Sequence, residues 1–325
     1  GACDFICPTE KKVSALTSAK APVPIPNPYN LGLDRRPAVS ILYPQAVPNK
    51  AVIDKEYCIH LKYGDCGICK EVCEAKAIDY EQQEETRELT VGAVVLAPGF
   101  EIYQAEHAGE YGWGRYPNVV TALQFERLLS ASGPTSGHVL RPSDRKPAKK
   151  IAFLQCIGSR DQEHDYCSSV CCMYATKEAM MAVEHEPDTQ VHVFMMDMRA
   201  FSKGYEEYYR RARQKYGIQY TRCRVSSVKE NPANGNLVVR YVREDAAEGS
   251  TAGKGATTAG EHPSASPASD AKKTPDAPAP HRVARIAPVE EEYDLVVLSV
   301  GMEIAEGVRQ FARNVGVAVD QYGFA

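Results

Sequence analysis

The chain has 325 residues, 44% of them hydrophobic, and a formal net charge of −4. That length supports one or two proper cores, and no signal-peptide pattern or membrane-spanning apolar run is visible, which argues against the small disulfide-stapled secreted class. The mildly acidic balance argues against nucleic-acid binding, and ten of the 11 cysteines, all but Cys223, fall into clusters that read as redox or metal sites.

The first residues, GACDFICP, match the second half of the bacterial ferredoxin run Cys-x2-Cys-x2-Cys-x3-Cys-Pro, with Cys3 as its third ligand and Cys7 as its fourth. The first two cysteines of that run would precede residue 1, so the chain reads as truncated at this end. Residues 9–50 are rich in Pro and polar residues and predict an extended connection, because Pro fixes φ and removes a backbone donor. A second run follows at Cys58, Cys66, Cys69 and Cys73. The spacing Cys66-x2-Cys69-x3-Cys73 is the latter part of the same ferredoxin pattern. Two departures accompany it: seven residues separate Cys58 from Cys66 where two are usual, and Glu74 stands in place of Pro.

In two-cluster ferredoxins the fourth cysteine of each run crosses to the other cluster. That rule gathers Cys7, Cys58, Cys66 and Cys69 into one complete [4Fe–4S] cluster and leaves Cys3 and Cys73 to an incomplete one. Zinc competes, since Cys66-Gly-Ile-Cys69 is a zinc-knuckle pair, although zinc sites usually take two separated pairs. An unliganded Cys58 in a loop also stays open.

Residues 88–100, ELTVGAVVLAPGF, predict a buried strand through Val94, Val95 and Leu96 that runs into a Gly/Pro turn. Residues 121–131 predict a helix with Leu123, Phe125, Leu128 and Leu129 as its apolar positions. From residue 149 the pattern alternates. KKIAFLQC, VHVFMMDM and IQYTRCRV read as strands, with CCMYATKEAMMAVEHE and GYEEYYRRARQKYG as helices between them. Such alternation implies βαβ units and a parallel sheet.

The densest cysteine group lies here: Cys156, Cys167, Cys171 and Cys172, four thiols within 17 residues. Thiolates so crowded suit a soft metal or an iron–sulfur cluster better than a packed core. Cys171 and Cys172 open a predicted helix, whose positive end favours thiolate. Arg160 is close in sequence, but a surface arginine is the commoner case. Cys223 alone stands outside the clusters. Arg210, Arg211, Arg213 and Lys215 share a helix with Tyr205, Tyr208, Tyr209 and Tyr216, which reads as an amphipathic helix packing tyrosines on the sheet. His138 and His164 read as solvated loop histidines.

VSSVKE, the Asn234-Gly235 turn and NLVVRYV predict a hairpin. Residues 244–288, dominated by Ala, Ser, Thr, Gly and Pro, read as a disordered insertion in a hairpin connection. YDLVVLSVG, residues 293–301, predicts a strand returning to the sheet.

VGAVVLAPGF, YGWGRYPNVVTALQFERLLSASGPTSGH, QCIGSRD, YCSSVCCMYATKEA, MDMRAFSKGYEEYYRRA and YDLVVLSVGM together closely resemble the A subunits of heterodisulfide reductases, a family of FAD- and iron–sulfur-containing flavoproteins. The resemblance implies an α/β, thioredoxin-reductase-like two-dinucleotide-binding flavoprotein core, incomplete here, with an inserted bacterial-ferredoxin-like [4Fe–4S] domain. It implies five segments: the ferredoxin-like domain at 1–87, the end of a first FAD-binding half at 88–148, and a second βαβ domain with a cysteine site at 149–243. The insertion at 244–288 and the start of a second FAD-binding half at 289–325 complete them. It further implies a [4Fe–4S] cluster on Cys156, Cys167, Cys171 and Cys172, and flavin contacts at Pro98, Gly99 and Gly301.

The chain contains no G-x-G-x-x-G, so the phosphate-binding half of an FAD site is expected upstream and a nicotinamide site is not expected. The chain also reads as truncated at its C-terminal end, stopping just after DQYGF. The function implied is electron transfer between FAD and clusters in a cytoplasmic complex, with flavin-based electron bifurcation in the family. Implied partners are other heterodisulfide-reductase-like subunits, an electron-donating hydrogenase or dehydrogenase, and ferredoxin as acceptor. Three alternatives remain: the flavoprotein of a quinone-interacting membrane-associated complex, a flavin-free ferredoxin-like relay, and a zinc-stabilised interaction protein.

Overall fold

The computed structural model describes residues 6–9, 25–244 and 286–325. The cysteine-bearing N-terminal part is made of short pieces. β1 (Ile25–Pro26) pairs antiparallel with β2 (Arg35–Arg36), and β3 (Val39–Ile41) with β4 (Ala51–Ile53). Two helices follow, α1 (Ile59–Tyr63) and α2 (Ile68–Glu71). Residues 25–53 are therefore not only an extended connection. They fold back on the main domain, where the Arg127 guanidinium lies 4.3 Å from the Tyr29 ring and Arg127 Nε donates to Asn30 Oδ1 at 2.8 Å.

The strand expected within 88–100 does not form. Val94 and Val95 are 71% and 91% exposed, and only β5 (Glu101–Ile102) is extended and paired. A strand needs a neighbour for its backbone N–H and C=O groups and a cover for its apolar face. Among the described residues neither is supplied until β5 meets β14 (Met302–Glu303).

The main domain is three-layered. β6 (Val119–Thr121) leads directly into α3 (Ala122–Leu129). The turn is fixed by a capping box in which Thr121 Oγ1 accepts from Gln124 N and Gln124 Oε1 accepts from Thr121 N. Phe125, Leu128 and Leu129 are buried as expected, while Leu123 is half exposed. β7 (Lys150–Ile157), α4 (Cys171–His185), β8 (Gln190–Met195), α5 (Tyr205–Lys215) and β9 (Gln219–Arg222) then alternate as the sequence predicts.

β10 (Ser227–Glu230), β11 (Leu237–Glu244) and β12 (Ile286–Tyr293) form an antiparallel sheet, with the Asn234-Gly235 turn between the first two. Residues 286–288, expected to be disordered, are thus part of a strand paired with β11. The rest of the expected insertion, from residue 245, lies outside the described residues. β13 (Leu295–Val300) returns to the parallel sheet, whose order is β6-β13-β7-β8-β9, and α6 (Glu306–Asn314) follows β14.

One face of the parallel sheet packs Ile151, Phe153, Leu295 and Val297 against α3, α4 and α5 through Phe125, Leu128, Ala175, Ala179 and Ala212. The other face packs Ala152, Leu154, Val296 and Leu298 against Val228, Leu237, Val239 and Tyr293 of the antiparallel sheet. Buried on both faces, these strands read as continuous apolar runs rather than alternating ones. On α5, Tyr208 and Tyr216 pack against the core as expected.

Chain order reverses at the β13–β7 boundary. β7, β8 and β9 run outward on one side, and β13 and β6 lie on the other. Open α/β sheets bind ligands beyond the carboxyl ends of their strands at such a point.

Candidate metal centres

The second cysteine group stands at that switch point, and a local irregularity aims it. Leu298 is opposite Leu154, but Val300 is opposite Ile157, so Gln155 and Cys156 together face Ser299. The extra residue makes a bulge, and Cys156 has a φ of 62°. A bulge re-aims a side chain and breaks the in/out alternation: Ile157 takes the inward place and Cys156 is freed from it. Arg160 and Ser169 also have positive φ, at 58° and 62°. Positive φ in non-glycine residues is costly and clusters at functional sites.

Gly301 packs against this turn. It donates to Ile157 O at 2.7 Å, and a Cβ on it would lie 2.3 Å from Gly158 O. Cys171 and Cys172 open α4, which has no side-chain cap, and the preceding loop presents Cys167. That loop is tied down by Ser159 Oγ donating to Tyr166 O (2.9 Å) and Met302 N donating to Ser168 Oγ (3.0 Å).

The four thiols form one electrostatic group. Burial is the main cause that raises Cys172, to about 11, and the charges of Cys156, Cys171 and Cys167 add to it. Cys156 and Cys171 are likewise pushed up by burial first. Arg160 opposes the rise at Cys156. Its Nη1 contacts Asp197 Oδ1 at 2.5 Å, and Arg199 holds the same carboxylate at 2.9 Å, so Arg160 is a half-buried, fixed charge beside the site. His164 is also no solvated histidine: Nε2 lies 3.2 Å from Glu303 Oε1.

The first group comes together across a long stretch of sequence. Cys7, Cys58, Cys66 and Cys69 line one small cavity with Thr9, His60 and Tyr80. Cys58 caps α1 and is raised by burial, with Cys69 and Cys7 contributing. Tyr80 Oη and Cys69 Sγ are 3.0 Å apart, and the Tyr80 ring stacks on His60 at 3.9 Å. Thr9 Oγ1 lies 3.2 Å from Cys7 Sγ and accepts from Ala38 N at 2.8 Å.

Cys73 does not line that cavity; its sulfur accepts from Ala77 N at 3.4 Å. Cys3 lies outside the described residues. Thr9, His60, Tyr80, Tyr174 and Asp197 carry no spacing signal and are seen only once the fold places them.

The cysteines of both groups offer sulfur, the choice of soft metals, and His60 adds a ring nitrogen to the lining of the first. Neither draws its side chains to one point. Among the described residues no three His, Cys, Asp or Glu side chains converge as a single bound ion would require. Thiols such as Cys58, Cys156, Cys171 and Cys172, pushed up by burial and by neighbouring thiols, suit a cationic inorganic core, which reverses the sign of the local field and holds them as thiolates.

The three residues expected near flavin are placed differently. Pro98 and Gly99 are exposed, with nothing within 4 Å of a Cβ built at Gly99, while Gly301 is buried and its Cβ side is filled by Gly158. The β5–β14 ribbon puts both turns on one two-stranded element, yet these three residues form no cradle for a dinucleotide.

No family model matches the chain. Among curated proteins it is 38% identical over 305 residues to the A subunit of the H(2):CoB-CoM heterodisulfide,ferredoxin reductase of Methanothermobacter marburgensis, covering 93% of this chain and 40% of that protein. It is 42% identical over 304 residues to the second iron-sulfur A subunit of the CoB--CoM heterodisulfide reductase of Methanopyrus kandleri, covering 93% and 38%. It is 37% identical over 309 residues to the A subunit of the H(2)/formate:CoB-CoM heterodisulfide,ferredoxin reductase of Methanococcus maripaludis, covering 94% and 40%. The chain thus spans about two fifths of the length of these relatives. Over that span it belongs to the family of heterodisulfide reductase A subunits.

Proposed function

We propose that this chain is an electron-relay part of a heterodisulfide-reductase-like iron–sulfur flavoprotein, with [4Fe–4S] clusters at Cys156/Cys167/Cys171/Cys172 and at Cys7/Cys58/Cys66/Cys69. The observation that carries the reading is the first of these groups: four thiols at the sheet's switch point, aimed by a bulge and by a helix start. A cluster bound there supplies one-electron storage.

The protein's own residues do the rest. Cys156 is fixed by the turn packed under Gly301, Cys171 and Cys172 by α4, and the Arg160–Asp197–Arg199 group sets the local charge. Cys73 and Cys3 belong, on this reading, to a further cluster completed by other residues.

The fuller form of the reading adds FAD and the splitting of its electron pair, but the described residues give flavin no site, and no step is derived through it. The names of relatives support ferredoxin and an H2- or formate-oxidising dehydrogenase as partners, with further subunits of the same complex. Among the described residues no helix is long and apolar enough to cross a membrane.

The test is iron and acid-labile sulfide content, with EPR after dithionite reduction, on anaerobically purified chain and a Cys171→Ala/Cys172→Ala variant. About eight irons per chain falling to about four is the expected result. Zinc in place of iron, or an unchanged count in the variant, overturns it.

A further inference from the structure

Glu178 lies on α4, two turns beyond Cys171, and is 3% exposed. Cys171, Tyr174 and Glu178 are spaced three and four residues apart, so they form one stripe on the helix. The stripe is electrostatically continuous: Tyr174 feels both the Cys171 thiol and the Glu178 carboxylate.

Beneath it lies a set of polar side chains that the fold leaves only partly satisfied. Gln155 and Ser299 follow the paired Leu154 and Leu298 on adjacent strands. Both are buried. Gln155 Oε1 and Nε2 and Glu178 Oε2 have no hydrogen-bond partner, while Ser299 has a side-chain hydrogen bond with Tyr174. Tyr174 Oη donates to Val300 O at 3.3 Å at the edge of this set.

Unpaired buried polar groups are costly and uncommon in folded proteins, and one buried carboxyl is the most costly of these. The core on this side of the sheet is built mainly from apolar residues such as Phe153, Ala175, Ala179 and Val297. The groups that face Glu178 from neighbouring elements are few. Glu126 of α3 and Lys177 of α4 are its charged neighbours, paired with each other at 2.5 Å, and Tyr174 is the third titratable group. Tyr174 and Lys177 also line an open groove with Met173, Phe201 and Tyr205, so water reaches the outer end of the stripe.

We propose that Glu178 takes up a proton from solvent when the centre at Cys156, Cys167, Cys171 and Cys172 is reduced, linking electron arrival to proton arrival at this end of the sheet. The step balances simply. A one-electron donor, another iron–sulfur group, is oxidised and the centre gains its electron. Burial, with the Glu126 charge adding to it, holds the Glu178 carboxyl well above the usual carboxylate range, so the step belongs to the alkaline side, where the carboxyl is ionised while the centre is oxidised. There Glu178 passes from carboxylate to carboxylic acid, forming one O–H bond as a water O–H at the groove breaks and hydroxide leaves to solvent. Added negative charge at the centre raises the proton affinity of a desolvated carboxyl on the same helix face, and a protonated carboxyl in turn eases reduction. Glu178 is a positioning residue in this scheme and touches no reacting atom.

The inference rests on the cluster reading above. Its test is EPR-monitored redox titration of the whole chain, purified anaerobically, at a series of pH values, with Glu178→Gln and Glu178→Asp beside the parent. In the parent, the ratio of oxidised to reduced centre at fixed potential is expected to change up to tenfold per pH unit across a window, which is 59 mV for one electron. Glu178→Gln should remove that slope and Glu178→Asp should keep it.

Redox-difference infrared spectroscopy should show a carboxylic acid C=O band appearing on reduction in the parent and absent in Glu178→Gln. A pH-independent parent, or the same slope and band in Glu178→Gln, overturns the proton role while leaving the cluster in place. Absence of any signal from this centre in the parent overturns the cluster reading itself, and this inference with it.

Discussion

Cys58 caps a helix of five residues and Cys69 sits on one of four, beside two-stranded hairpins, whereas Cys171 and Cys172 begin a 15-residue helix laid on a five-stranded parallel sheet. Around the first group the buried apolar cluster is small, built on Ile25, Ala38 and Cys58 itself. Around the second, two large cores meet through the sheet. Helices of one turn and isolated hairpins are not stable alone in water. Metal binding to a site that does not exist in the unfolded chain contributes directly to folding. On the proposed reading, the first site would fold with help from its cluster, whereas the second stands on a sheet and helix that pack without one.

The largest effect expected from that contrast is on metal removal. On the proposed cluster reading, stripping iron should bring amides in residues 51–80 to nearly unprotected exchange, while those of Ile151–Leu154 and Val191–Phe194 keep their protection. Hydrogen exchange by mass spectrometry reads this directly, and equal loss in both regions would erase the contrast.

Next comes the scaffold itself. Phe153 is fully buried and meets Phe125 edge-on at 5.3 Å. Phe153→Ala should cost about 3–5 kcal/mol in denaturant unfolding. Val52→Ala in β4, at a residue 64% exposed, should stay within about 0.5 kcal/mol. Similar costs at the two positions would mean that the N-terminal part has a core of its own.

The smallest effect is a pH dependence confined to the scaffold. His192, buried between Tyr293 Oη at 2.8 Å and Thr221 Oγ1 at 2.7 Å, is held at about 4 by burial. Between that value and the ordinary 6.5, the unfolded chain binds a proton that the folded chain does not. Stability therefore rises with pH across this window and is lost as pH falls through it, by at most about 3 kcal/mol. Urea unfolding at pH 7 and pH 4.5 should show the loss, and His192→Gln should reduce it.

The cysteine pattern and the strand–helix alternation were legible because both are local. A spacing such as Cys167-x3-Cys171-Cys172 or a run such as IAFLQC needs only its near neighbours to be recognised. The hairpin at Asn234-Gly235 was legible for the same reason. The strand expected in 88–100 failed because a strand is a relation between two segments, and Val94–Leu96 meets no partner among the described residues. β6, three residues long, was missed since its identity comes wholly from lying beside β13.

The chain's order of residues, by itself, determined which chemistry is present: two sets of thiols, a parallel α/β scaffold and a family. Tertiary structure decided how that chemistry is arranged. It put Cys7, Cys58, Cys66 and Cys69 around one cavity, raised Cys156 on a bulge opposite Ser299, and set Tyr80 and Asp197 beside sulfur. It also buried Glu178 with its Oε2 unpaired. These are contacts between residues far apart in the chain. They arise from matching apolar faces and backbone pairing across the whole fold, and no short stretch of sequence encodes them.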